Sequence, residues 1–117
     1  NAMIKEFDQI ELPWGKVNGA FTVSENIADN GGMAVTLDIM SKMKEKSYEE
    51  YFMNWGRIWC MKAKTEFLQL LLAVDVHGPA ILRANMQPRN FDEWYETFNV
   101  KKTDKMYLPV NKRVHIW

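Results

Sequence analysis

Two acidic side chains, Glu25 and Asp29, lie four residues apart in the stretch ENIADNGG at 25–32. On a helix such positions share one face, so the like charges repel by roughly 0.2–0.5 kcal/mol unless they have a shared partner. One interpretation is that Glu25 completes a capping box with Thr22 while Asp29 is solvated. The other is that both acids are buried at the apolar end of the helix, where a carboxylate needs a metal ion, a cation or a hydrogen-bond donor. The residues alone leave both interpretations open.

A second group of polar side chains occurs in the segment DVHGP at 75–79, which contains Asp75 and His77, and Arg83 follows shortly after it. In a loop restricted by proline, the aspartate can orient the imidazole, and an imidazolium can stabilise an oxyanion. An arginine can bind a carbonyl or a carboxylate. The competing interpretation is an ordinary loop that ends a helix and contains an Asp75–Arg83 ion pair. Spacing does not decide between the two.

The order of these segments resembles that of the neprilysin family of zinc metallopeptidases. The resemblance covers most of the chain, from about Gly19 to Trp117, and its separated segments agree with the family in order and spacing. In chain order the matching segments are ENIADNGG at 25–32, Trp59-Cys60, residues 75–79 with Arg83 after them, Asn90–Trp94, and the terminal Trp117.

The resemblance implies a role for each candidate residue. Glu25 would be a zinc ligand, and Asp29 would accept a hydrogen bond from a zinc-bound histidine and fix its orientation. His77 would stabilise the oxyanion that develops on the scissile carbonyl, and Asp75 would orient His77. Arg83 would bind a backbone carbonyl of the substrate. The implied activity is zinc-dependent cleavage of internal peptide bonds in oligopeptides, with one zinc ion in the complete site.

The resemblance also has a gap. In the family, two zinc-binding histidines and a general-base glutamate come from an HExxH helix upstream of the glutamate helix, and no HExxH occurs here. The histidines are His77 and His115, and we interpret His115 as part of the tail. We therefore expect residues 3–117 to be the C-terminal portion of a metallopeptidase catalytic domain, with residues 1–2 a remnant of tag removal. Because one carboxylate cannot hold zinc usefully, the chain alone should be inactive.

The expected partners follow from the same argument. Peptide substrates would belong to the full-length parent. The alternative function is that of a non-catalytic helical domain that binds the missing upstream half or a second copy of itself, because a face that is normally covered would be exposed.

Composition excludes several other classes of protein. Lysine and arginine balance aspartate and glutamate at 15 each, so no net field favours nucleic acid or an anionic membrane surface. No apolar run approaches the roughly 18 residues that would suggest a membrane span. Cys60 is the single cysteine, which excludes an intrachain disulfide and favours a reducing compartment. Together with the resemblance, this predicts a bacterial, cytoplasmic protein.

Hydrophobic periodicity predicts a mainly α fold of three or four packed helices. A short irregular or hairpin-like segment at about 4–22 would precede them, and the resemblance makes the whole part of a thermolysin-like catalytic domain. A Ser47–Glu50 capping box marks one helix start. The stripe of Trp55 and Trp59 is expected in the core, with Cys60 as a small buried apolar residue. The helices are expected at about 23–46, 47–64, 65–74 and 91–98.

Overall fold

The candidate residues are carried by a bundle of helices that follows a short N-terminal β-hairpin. The computed structural model describes all 117 residues. Its elements are α1 (Ala2–Phe7), β1 (Glu11–Leu12), β2 (Gly15–Lys16), α2 (Gly19–Ser41), α3 (Tyr48–Ile58), α4 (Thr65–Val74), α5 (Ala80–Met86) and α6 (Asp92–Phe98), with 3-10 turns at Gln87–Asn90 and Val110–Lys112. The two strands are antiparallel, with Glu11 opposite Lys16. The mainly α prediction is confirmed, although the helices number six because the short α1 and α5 were not predicted.

The long helix α2 begins earlier than its hydrophobic period predicts. Asn18 is its N-cap, and the Asn18 side chain accepts a hydrogen bond from the Phe21 amide over 3.0 Å. Thr22 therefore lies inside the helix, where its hydroxyl donates to the Asn18 carbonyl. The capping-box interpretation of Thr22 and Glu25 is wrong, which leaves Glu25 available for contacts across the helix face.

The C-terminal end of α2 comes at Ser41, five residues before the predicted end. The Lys46 ammonium donates hydrogen bonds to the main-chain carbonyls of Ser41 and Met43. The Ser41 carbonyl is among those that a helix end leaves without a helical partner, so the lysine satisfies it from the following loop, to which Met43 also belongs. The lysines at 42–46 consequently belong to the loop after the helix.

The start of α3 and both ends of α4 agree with the prediction, whereas the end of α3 does not. The start of α3 is as predicted, because the Ser47 hydroxyl accepts a hydrogen bond from the Glu50 amide over 3.2 Å. The predicted bounds of α4, residues 65–74, agree with the structure. However, α3 ends at Ile58 rather than near residue 64, and Trp59 leaves the helix to pack beside Trp55.

Two hydrophobic clusters hold the elements together. The first joins α1, the hairpin, α5 and the C-terminal segment, and the second joins α2, α3 and α6. Their buried members are Met3, Phe7, Val17, Leu82, Met86 and Val114 in the first, and Met33, Leu37 and Phe52 in the second. The sequence did not predict α1, because its six residues bury only Met3 and Phe7, too few to show a period.

Several apolar or weakly polar side chains stay accessible, contrary to expectation. Trp55 and Trp59 are half-buried rather than core residues, and Cys60 is exposed. The helix α4 has no buried residue at all. None of the helices combines the length and the apolar character that would let it cross a bilayer.

Candidate active site

The first two candidate residues share one face of α2, as their spacing predicts. Their environments differ, since the side chain of Asp29 is 11% exposed and that of Glu25 is 37% exposed. The prediction that both acids are buried therefore holds for Asp29 only. Glu25 lies at the edge of the protein, where its carboxylate can meet a group from outside this chain.

His77 lies between two carboxylates. Its Nδ1 is 2.6 Å from Asp75 Oδ1, and its Nε2 is 3.3 Å from Glu25 Oε2. The same Asp75 oxygen accepts the backbone N–H of His77 over 3.0 Å, which closes a tight loop between α4 and α5. The ring is thus held from both edges while its side chain stays 41% exposed.

The hydrogen bonds within this loop also act on Asp75. They come first from the backbone N–H of His77 and then from its ring, and together they lower the pKa of the Asp75 carboxyl below its ordinary value. Nearby positive charge, including that of Arg83, acts in the same direction. Asp75 is therefore a stable carboxylate that can orient the imidazole at neutral pH.

Arg83 pairs with Asp29 rather than with Asp75. Its Nε and NH2 each donate to one Asp29 oxygen over 2.8 Å, across 54 residues of sequence. The guanidinium carbon lies 3.7 Å from the centre of the Trp59 ring, and the Arg83 carbonyl accepts the indole N–H of Trp55 over 2.9 Å. The Asp75–Arg83 ion pair considered from the sequence is therefore wrong. The two hydrogen bonds to Asp29 form a fork that, together with the Trp59 ring, fixes the plane of the guanidinium. The NH1 group is left for another acceptor.

All five predicted residues thus converge from α2, the 75–79 loop and α5. Three of them, Asp75, His77 and Arg83, line a groove with a volume of about 970 Å³ that runs between the end of α3, α4 and α5. Its wall is largely apolar and includes Ile58, Leu71 and Ile81. The sequence did not indicate Trp14, which reaches this groove from the hairpin turn, because nothing local connects an N-terminal turn with residues sixty positions later.

A zinc site requires several metal-binding side chains close together. A catalytic zinc ion usually takes three protein ligands and a water molecule. No group of three or more histidine, cysteine, aspartate or glutamate side chains is gathered in a way that would hold a metal ion. The Glu25 carboxylate, 37% exposed, is an oxygen donor of the kind that zinc accepts.

Comparisons with known proteins identify the family to which the chain belongs. The sequence profile of peptidase family M13 matches residues 1–114. A neutral endopeptidase of Lactococcus lactis subsp. lactis (strain IL1403) is 50% identical over 115 residues, which are 98% of this chain and 18% of that protein. The crystal structure of PepO from Lactobacillus rhamnosis HN001 superposes with a TM-score of 0.89 at 40% identity, covering 99% of this chain and 19% of PepO.

A more distant solved structure gives the same result. The zinc metalloprotease Zmp1 of Mycobacterium tuberculosis, in complex with an inhibitor, superposes with a TM-score of 0.83 at 30% identity and covers 99% of this chain and 20% of Zmp1. The chain thus spans about a fifth of the length of these relatives. With the profile matching nearly its whole length and the motifs in family order, the chain belongs to peptidase family M13, the neprilysin family.

Proposed function

We propose that this chain is the part of a zinc-dependent endopeptidase that supplies one metal ligand and the residues that bind the substrate. The observation that carries the proposal is that His77 and Arg83 line one groove, each held by a carboxylate of the same chain, while Glu25 lies 3.3 Å from His77 Nε2. Relatives named neutral endopeptidase and zinc metalloprotease support the class of reaction.

His77 is proposed to stabilise negative charge on the scissile carbonyl. A carboxylate lies beside each ring nitrogen: Asp75 Oδ1 is hydrogen-bonded to Nδ1 over 2.6 Å, and Glu25 Oε2 lies 3.3 Å from Nε2. Asp75 holds the Nδ1 side, so the Nε2–H side is the one that can turn to a substrate oxygen. Preorganised donors of this kind stabilise an oxyanion without reorganisation during the reaction.

Arg83 is proposed to bind a backbone carbonyl of the peptide through NH1. Its other two nitrogens are occupied by Asp29, and the Trp59 ring covers one face of the guanidinium. Asp29 is further proposed to orient a zinc-binding histidine supplied from outside this chain. A carboxylate offers about four lone-pair positions, so the Arg83 fork does not exhaust its capacity.

Glu25 is proposed as the single zinc ligand within this chain. Zinc in such a site supplies an activated water molecule and polarises the carbonyl of the substrate. Since the remaining ligands are not present in this chain, we propose that it is inactive alone and acts within a longer M13 polypeptide. A bacterial cytoplasmic location is part of the same proposal.

A chimera tests these roles directly. This chain would replace the matched segment of the Lactococcus lactis neutral endopeptidase, and cleavage of an internally quenched oligopeptide would be followed. We expect an active chimera that loses activity with Glu25→Gln and loses roughly 100- to 1,000-fold in kcat with His77→Ala. Glu45→Gln, an exposed loop residue, serves as the control. A Glu25→Gln or His77→Ala chimera with nearly full activity would refute the assignment.

A second function is favoured by the apolar surface of α4. Phe67, Leu70 and Val74 are 47%, 54% and 62% exposed on a helix that buries no residue. Such a surface is typical of a face that another polypeptide covers. The alternative proposal is a non-catalytic interaction domain that associates with itself. Sedimentation velocity of the chain, compared with Leu70→Lys, tests it: a strict monomer across micromolar concentrations would exclude self-association.

A further inference from the structure

We infer that Gln87 is a positioning residue that sets where the acidic face of α2 lies against α5. Its side chain is fully buried between two asparagines of α2. Gln87 Nε2 donates to the main-chain carbonyl of Asn26 over 2.8 Å, and Oε1 accepts from Asn30 Nδ2 over 3.4 Å. Each asparagine directly follows one acid of the site, Glu25 or Asp29.

This pattern explains why each acid is followed by an asparagine. Successive residues of a helix point about 100° apart, so Asn26 and Asn30 face inward to Gln87 while the acids face His77 and Arg83. A hydrogen bond to a main-chain carbonyl requires a narrow range of distance and angle, so it fixes the position of the helix itself. The Gln87 amide therefore sets the position of α2 along its axis and its rotation about that axis, both relative to α5.

The partner of Asp29 is on the same rigid segment as Gln87. Arg83 lies in α5, and Gln87 directly follows the last residue of that helix. Gln87 thus contacts Asn26 and Asn30 of α2. Arg83, four residues before Gln87, contacts Asp29, which lies between the two asparagines in the sequence. A change in one set of contacts displaces the other.

The His77 loop is linked to the same point of α2. A Cβ atom added at Gly78 would lie 2.9 Å from Asn26 Oδ1, so the glycine allows the loop to approach α2 closely. Asn26 is consequently enclosed by Gln87 on one side and by the loop on the other. A shift of α2 at Asn26 would change the distance between Glu25 and His77.

The inference concerns the relative placement of α2 and α5, and it does not depend on the peptidase proposal. It is therefore tested on the chain alone, without zinc. In Gln87→Met the side chain keeps its length and loses its amide. We expect the Arg83 Nε–H to exchange with solvent roughly tenfold faster or more, and the ring ¹⁵N resonances of His77 to shift, both followed by NMR.

A matched control separates positioning from loss of stability. Phe98→Leu alters the second hydrophobic cluster at its ring contacts with Phe52 and Trp94 and removes none of the Gln87 hydrogen bonds, and the variants are compared at equal free energy of unfolding. We expect Phe98→Leu to leave the His77 and Arg83 signals unchanged. Equal changes in both variants, or unchanged signals in Gln87→Met, would overturn the inference. If Gln87→Met does not fold, Gln87→Glu, which keeps the acceptor for Asn30 and places a carboxyl oxygen where the donor to Asn26 was, is expected to give the same two changes.

Discussion

Asn90 donates a hydrogen bond to Glu6 over 3.2 Å and so joins the 3-10 turn to α1 across 84 residues of sequence. The bond uses Glu6 Oε1, whereas Oε2 is buried without a hydrogen-bond partner. Burial raises the pKa of Glu6 to about 7, although the Asn90 hydrogen bond and the charge of Arg89 act in the opposite direction. This carboxyl therefore changes its charge near neutral pH, inside the packing that anchors the N-terminal helix.

The raised pKa predicts that the protein becomes less stable as the pH rises. The folded state binds the Glu6 proton more tightly than the unfolded state, so the stabilisation is fully present below about pH 4.5 and is lost as the pH rises through about 7. We expect the free energy of unfolding to fall by on the order of 2 kcal/mol between about pH 5 and about pH 8. Urea unfolding across this range measures it.

Substitution of the same residue identifies the source of the effect. Glu6→Gln keeps the shape and the Asn90 contact without a charge, so this variant should be the more stable protein at high pH and should lose most of the pH dependence. Glu45→Gln, in an exposed loop, should behave like the unaltered chain. A pH dependence that persists in Glu6→Gln would assign it to other groups.

The Asp29–Arg83 pair is expected to be far stronger than a second ion pair on the same helix. Asp29 and Arg83 are only 11% and 17% exposed, whereas Asp38 pairs with Lys42 in solvent. Asp29→Ala leaves a half-buried guanidinium without its partner and should cost roughly 3 kcal/mol. Asp38→Ala should cost less than about 1 kcal/mol. Denaturant unfolding of both variants measures the contrast, and equal losses would contradict it.

Local signals explain what the sequence predicted correctly about the fold. The capping serine at Ser47 and the break before Pro79 act within a few residues, so α3 starts and α4 ends where predicted. The end of α3 was placed six residues too late, because Trp59 leaves the helix to stack on Arg83, a contact from the other side of the bundle. Propensity contains no information about such a contact.

The candidate site, unlike the helix boundaries, could not be predicted from local patterns alone. Spacing alone left a structural and a chemical interpretation open for both Glu25 and His77. Only the resemblance to the neprilysin family predicted that the two residues belong to one site. The structure adds the paired hydrogen bonds between Asp29 and Arg83 and the contact of Gln87 with Asn26, for which no local pattern exists because these contacts span 54 and 61 residues. Pairings at this distance emerge only when the helices are packed.

Two adjacent glycines of α2 offer a matched pair of substitutions. A Cβ atom at Gly31 would lie 2.9 Å from the indole of Trp117, whereas a Cβ atom at Gly32 meets nothing within 4 Å. Gly32→Ala should stabilise the protein by roughly 0.5–1 kcal/mol, because alanine loses less backbone entropy in a helix. Gly31→Ala should gain less and should shift the Trp117 indole N–H resonance. Identical stabilities and unchanged Trp117 spectra in the two variants would show that the close approach is unimportant.

Zinc binding by the chain alone is expected to be negligible, although Glu25 is a proposed ligand. Three protein ligands are needed for a stable catalytic site, and this chain gathers no such set. After incubation with zinc and exhaustive dialysis, elemental analysis should find close to zero zinc per chain. A value near one zinc per chain that disappears with Glu25→Gln would contradict the proposal of an incomplete site. His77, His115 or a second copy of the chain would then have to supply the missing ligands, and the proposal that the chain is inactive alone would fall with it.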